Sequence, residues 1–127
     1  MKTLPLMNTW EALQQLPWLS LGKFPTPVQR LHHFPHDNLW IKRDDLSSDV
    51  YGGNKVRKLE FTLAEAKALN KSKVVTMGGI GTNHGLATAM FCQKLGLACR
   101  LLLFYQPVTV YVKKNLLLFC RYNAQLK

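Results

Sequence analysis

Acidic residues are scarce in this chain. Seven Asp and Glu stand against 17 Lys and Arg, a formal net charge of +10 over 127 residues. Such an excess points to an anionic partner: nucleic acid, a membrane surface or a phosphorylated small molecule. The arrangement argues against nucleic acid. There is no dense basic run, no RRM-like aromatic signature and no zinc finger. Between Lys42 and Lys73 the basic residues alternate with Asp44, Asp45, Asp49, Glu60 and Glu65. From Arg100 onward five basic residues occur without an acid, as on a solvated face or opposite acidic residues elsewhere.

Cysteine is also sparse. Cys92, Cys99 and Cys120 are an odd number without metal-type CxxC spacing, and they read as reduced thiols, mostly packing residues, in a reducing compartment. No apolar run approaches the roughly 20 residues of a membrane span. The best, Leu101 to Val112, contains Gln106 and Pro107. Asn8, Glu11 and two glutamines break up any secretory h-region. A soluble cytoplasmic protein with no membrane partner is expected. Walker A spacing is absent, as are repeats and low-complexity segments.

What remains is an ordinary globular mix, 47% hydrophobic and 19% charged, enough for one modest core. Five prolines punctuate the chain up to Pro35, leaving room for a helix only at Thr9 to Leu16, capped by Thr9 with Trp10, Leu13 and Leu16 on one face. Phe24 to Val28 reads as extended, Leu39 to Lys42 as a short strand and Asp44 to Gly53 as a polar loop. Val56, Leu59, Leu63, Ala66 and Leu69 then recur at helical spacing, predicting a helix over Lys55 to Leu69. Lys73 to Met77 reads as a buried strand, Gly78 to Thr82 as a turn and Asn83 to Leu95 as a helix stopped by Gly96. Cys99 to Tyr105 reads as a second buried strand. Val112 to Tyr122 reads as a helix whose Leu116, Leu117, Phe119 and Cys120 are too apolar for a free surface. Another strand is due near the last residues. This order is a βαβ unit, so a parallel sheet is predicted, with ligands beyond the carboxyl ends of its strands.

Two constellations carry chemistry. In Tyr51-Gly52-Gly53-Asn54-Lys55-Val56-Arg57-Lys58, paired glycines permit positive φ and close approach to a ligand. Lys55 follows at the first turn of a helix. The helix dipole and the like charges of Arg57 and Lys58 should both ease access to a neutral, nucleophilic amine. Helix N-terminal amides also suit a phosphate. The alternative is a glycine-preceded helix start with exposed basic residues. In Gly78-Gly79-Ile80-Gly81-Thr82-Asn83-His84-Gly85, a glycine-rich turn presents a hydroxyl, an amide and an imidazole at a helix start. Thr82 or Asn83 could equally serve as a cap. The pattern is not the GxGxxG of a dinucleotide site with its distant acid. His32, His33 and His36 near Asp37 read as surface-loop residues rather than metal ligands, and Trp10, Trp18 and Trp40 as packing residues.

The runs Ile41-Lys42-Arg43-Asp44-Asp45-Leu46, GGNKVRKLE ending at Glu60 and GGIGTNHGLATA from Gly78 occur in one order. Together they resemble the 1-aminocyclopropane-1-carboxylate deaminase and D-cysteine desulfhydrase family, in the tryptophan-synthase-β-like group of pyridoxal-phosphate enzymes. The resemblance covers about Phe24 to Leu118. It implies an α/β fold of type II, with residues 1–70 in a larger domain and 71–127 beginning a smaller one. It implies that Lys55 holds pyridoxal 5'-phosphate as a Schiff base and moves the substrate proton, with Asn54 and Asn83 as further cofactor contacts, Asn83 at the phenolic oxygen. Thr82, Asn83 and His84 would hold the carboxylate of a small amino-acid substrate. Thr82 replaces a more usual serine, and Gly85 and Leu86 depart from a bulkier, basic continuation. His84 leans the expectation towards desulfhydrase chemistry, with the deaminase as alternative. Arg43, Asp44 and Asp45 are expected to order the loop. The family's downstream phosphate cup and pyridine-nitrogen partner have no counterpart here, so the chain is expected to be a partial fragment. A non-catalytic interaction fragment is the alternative from another class. The intact family enzyme is expected to be a homo-oligomer.

Overall fold

The computed structural model describes residues 5–36 and 38–127. Asp37, weighed beside the histidines, lies outside them, as do residues 1–4. The elements are α1 (Pro5–Thr9), β1 (Val28–Arg30), β2 (Trp40–Lys42), α2 (Lys55–Ala68), β3 (Lys73–Gly79), α3 (Asn83–Leu95), β4 (Ala98–Phe104), α4 (Val110–Arg121) and β5 (Gln125–Leu126). Short 3-10 turns occupy Glu11–Gln15 and Asp44–Leu46.

The parallel sheet is present, in the order β3-β4-β5. β3 and β4 run parallel from the Lys73–Ala98 pair to the Gly79–Phe104 pair, with α3 as the crossover. β5 joins β4 in parallel at Arg100–Gln125 and Leu101–Leu126, where a further strand was due. Gly96 ends α3 in the left-handed region at φ 70°, and its N–H closes on the carbonyls of Cys92 and Gln93. β1 and β2 form a separate antiparallel pair.

One continuous core ties the chain together. Val56, Leu59 and Leu63 of α2 meet Leu86, Phe91 and Cys92 of α3, Cys99 and Leu101 of β4, and Phe119 of α4. Burying each large side chain is worth roughly 1.5–3 kcal/mol. Cys92 and Cys99 are buried, and contact with Cys99 together with burial pushes the Cys92 thiol up, so it packs as a protonated thiol. Cys120 is exposed.

Four expectations are corrected. The strands are covered on one face only. Val74, Cys99, Leu101 and Leu103 face the core, while Val75, Met77, Leu102 and Phe104 on the other face are exposed. A continuous apolar run looks doubly buried in sequence, but here α3 packs against one side of the sheet. The helix over Thr9 to Leu16 is instead the end of α1 and a 3-10 turn, separated by extended backbone at Trp10. Trp10 and Leu16 are exposed, and so short a helix has no packing to sustain it. Leu69 is exposed past the end of α2, and on α4 Leu117 and Cys120 are exposed while Phe119 alone of that apolar group is fully buried. Trp40 is exposed too, leaving Trp18 as the packed tryptophan.

Candidate functional site

The loop before Lys55 is built by its own hydrogen bonds. Ser47 is fully buried, and its hydroxyl donates to the Gly53 carbonyl at 2.9 Å and accepts from the Gly53 N–H at 3.0 Å. The Gly53 N–H also reaches the Asp44 carbonyl. Gly53 has φ 115° and open space where a side chain would stand, so glycine is required for the backbone and leaves that surface accessible. Gly52 differs: it lies against the backbone of Asp45, so its close approach is to this chain and not to a ligand.

Asp44 accepts from Arg57 at 2.7 and 3.1 Å and from the Thr26 hydroxyl at 2.8 Å. These bonds lower its pKa to about 2, the Arg57 guanidinium contributing most. Arg43 forks onto Asp45 on the exposed side of the same turn. The three residues therefore order the loop, as expected from sequence. Arg57 also stacks on Phe24, 4.2 Å from the ring centroid. Being paired, Arg57 does not supply the uncompensated like charge beside Lys55 that the sequence led us to expect.

Lys55 opens α2 and is half-buried. Asn54, exposed at the cap position, forms no side-chain cap, so the first amides of α2 have no side-chain cap from it. α3 begins at Asn83. Thr82 caps that helix, its Oγ1 accepting from the Gly85 N–H at 3.2 Å. His84 is half-buried, and burial, then the positive charges of Lys55 and Lys58, hold its imidazole below the ordinary pKa of 6.5. The start of α3 thus lies near enough to the start of α2 for the Lys55 charge to act on His84, with Thr82 and Asn83 adjoining in sequence after the carboxyl end of β3. The histidines at 32, 33 and 36 are exposed, and no metal-binding cluster occurs among the described residues.

Three contributors were missed in the sequence. Glu60 is buried on the core face of α2 and accepts from Trp18 Nε1 at 3.0 Å and from the N–H groups of Leu21 and Gly22 at 2.9 and 3.0 Å. A glutamate one position from Leu59 and three before Leu63 was the available signal. Gln106 packs its amide against Gly79 and Gly81, so the glycine-rich turn is closed partly on the protein itself. Asn115 of α4 donates to the Gly81 carbonyl at 2.7 Å and to Asn83 Oδ1 at 3.0 Å. Nothing local in sequence signals a contact 32 residues away.

The family model described as pyridoxal-phosphate dependent enzyme matches residues 19–125. A D-cysteine desulfhydrase of Serratia proteamaculans is 38% identical over 95% of this chain and 39% of its own length. A putative 1-aminocyclopropane-1-carboxylate deaminase of Pyrococcus abyssi is 38% identical over 84% of this chain and 32% of its own. A bifunctional enzyme of both names from Arabidopsis thaliana mitochondria is 47% identical over 66% of this chain and 22% of its own. A solved ACC deaminase homologue superposes with a TM-score of 0.77 at 30% identity, over 98% of this chain and 38% of that one. The chain therefore spans less than two-fifths of the length of these relatives. No described helix is long and apolar enough to cross a membrane.

Proposed function

Because the chain belongs to the pyridoxal-phosphate dependent enzyme family, we propose that it carries the lysine-bearing side of a cofactor site for cleaving a small amino acid. The reaction proposed for a chain of the relatives' length is of the D-cysteine desulfhydrase type, giving a 2-oxo acid, ammonia and sulfide. The observation that most supports this reading is that Lys55, opening α2, lies near enough to the first turn of α3 for its charge to act on His84.

The residues suit the cofactor. Lys55 offers the amine that would hold it covalently, at a helix start whose amides take no side-chain cap from Asn54. Asn83 offers an amide, and Asn54 a second one at the cap of α2. When bound, pyridoxal phosphate supplies an electron sink for the pair left on the substrate Cα. Lys55 Nζ would take and return the Cα proton. Thr82, Asn83 and His84 would hold the substrate carboxylate. Burial and the nearby positive charges favour the neutral form of His84, which would offer a hydrogen bond without a second full charge near Lys55.

For these residues on their own we propose weak cofactor affinity and little turnover. Incubation with pyridoxal phosphate, borohydride reduction and peptide mass spectrometry test the site. Selective labelling of Lys55, lost in Lys55→Ala, is the expected result. Diffuse labelling of many lysines, equal in the variant, would refute it. Deaminase chemistry is the second reading, favoured by the names of the Pyrococcus and Arabidopsis relatives. Sulfide release against ammonia plus 2-oxobutanoate, assayed in a relative-length chain carrying these residues, separates the two.

A further inference from the structure

One buried amide joins α4 to the glycine-rich turn. Asn115 is 9% exposed, and its Nδ2 donates both to the Gly81 carbonyl and to Asn83 Oδ1. A backbone carbonyl can only accept, so it dictates which end of Asn115 faces the turn. The NH2 group must lie there, and its second proton meets Asn83. If Asn83 turned its own NH2 towards Asn115, two donors would oppose each other. Asn83 is therefore held with its oxygen inward. Asn83 is exposed, and its Nδ2 makes no protein hydrogen bond among the described residues.

We infer that Asn115 is a positioning residue that fixes the polarity of Asn83, so that position 83 presents an N–H donor to the site rather than a carbonyl acceptor. The polarity is relayed from the Gly81 carbonyl through two amides. It matters because an ionised phenolic oxygen accepts hydrogen bonds and is repelled by an amide oxygen. The relevance to cofactor rests on the function proposed above; the polarity itself does not.

The test uses the full chain in two arms. Without cofactor, the side-chain amide protons of labelled protein are followed by NMR. Both Asn115 Nδ2 protons are expected to exchange roughly three- to tenfold more slowly than those of exposed Asn70 and Asn123, the factor a net hydrogen bond gives. Asn83→Ala should release one of the two and leave the other protected. Fast exchange of both, or no response to Asn83→Ala, overturns the relay. With cofactor, the pH midpoint of its visible absorbance band is recorded for the wild type, Asn115→Leu and Asn83→Ala. Both variants should move it in the same direction, by about one pH unit for loss of a bond to a charged form. A shift in Asn83→Ala with none in Asn115→Leu overturns the positioning role. No shift in either, with the NMR result as expected, refutes instead the contact between Asn83 and cofactor.

Discussion

Thr82 and Gly85 should be energetically coupled, and the coupling can be measured without cofactor. A Cβ built on Gly85 would lie 2.5 Å from the Thr82 methyl carbon and 3.4 and 3.5 Å from the Leu101 methyls. The first distance is about an ångström inside a normal carbon contact; the others are ordinary. Thr82 is not free to turn away, because its Oγ1 caps α3 at Gly85 and its Cβ sits against Gly78. Gly85→Ala should therefore cost about 1–3 kcal/mol of overpacking, offset by about 0.5–1 kcal/mol of helix propensity. Thr82→Ser removes the methyl and keeps the capping oxygen, so it should cost little. In that background Gly85→Ala should become neutral or mildly stabilising. Urea denaturation of the four proteins of the cycle gives the interaction term directly, expected at about 1–3 kcal/mol. A coupling below about 0.5 kcal/mol would refute the steric account. Thr82 and Gly85 would then be independent of each other rather than one compensated pair.

Burial is the main cause of the lowered His84 pKa and the Lys55 charge the next, so Lys55→Met should raise the imidazole midpoint part of the way towards 6.5, read from its ring-proton shifts; an unmoved midpoint would mean the Lys55 charge does not reach His84. The Asp44 carboxyl has a depressed pKa in the folded state, so its stabilising bonds are complete above its ordinary 3.8 and are lost as pH falls through about 2. The stability difference between wild type and Asp44→Asn should therefore be constant at neutral pH and shrink between about pH 4 and 2; a difference that persists at pH 2 contradicts the assignment. Glu60→Ala leaves one buried and two part-buried donors without their acceptor, at about 1–3 kcal/mol for a fully buried one and less for the others, so a loss of about 2 kcal/mol or more in urea melts is expected, and a loss under about 1 kcal/mol would show that water replaces the carboxylate.

The elements legible in sequence were those whose cause is local. Val56, Leu59 and Leu63 recur at helical spacing and α2 follows; Gly96 stops α3 by adopting positive φ; β3, α3 and β4 alternate and the sheet is parallel. The loop role of Arg43 and Asp45 was legible because an ion pair two residues apart has few choices of partner. The failures have a non-local cause. Whether Val75, Met77, Leu102 and Phe104 are covered depends on what packs against the sheet, which an apolar run does not encode. Trp10 and Leu16 carry a helical pattern but meet no packing surface. Arg57 looked like free charge because its partner Asp44 lies 13 residues away.

The same distinction applies to the site. Lys55, Thr82, Asn83 and His84 stood out as residue types at glycine-flanked helix starts, yet what would make them the proposed site is the relation between two helices. That relation is set by side chains with no chemistry of their own. Leu59 and Leu63 pack α2 into the core shared with α3, and buried Glu60 ties residues 18–22 to the same helix. Asn115 and Gln106 hold the turn from the side of α4. A displacement of about an ångström between reacting groups is enough to cost orders of magnitude in rate. Glu60 and Asn115 therefore belong to the functional argument as fully as the lysine does. A chain that kept Lys55 and lost both would keep the motif while losing the geometry that gives it meaning.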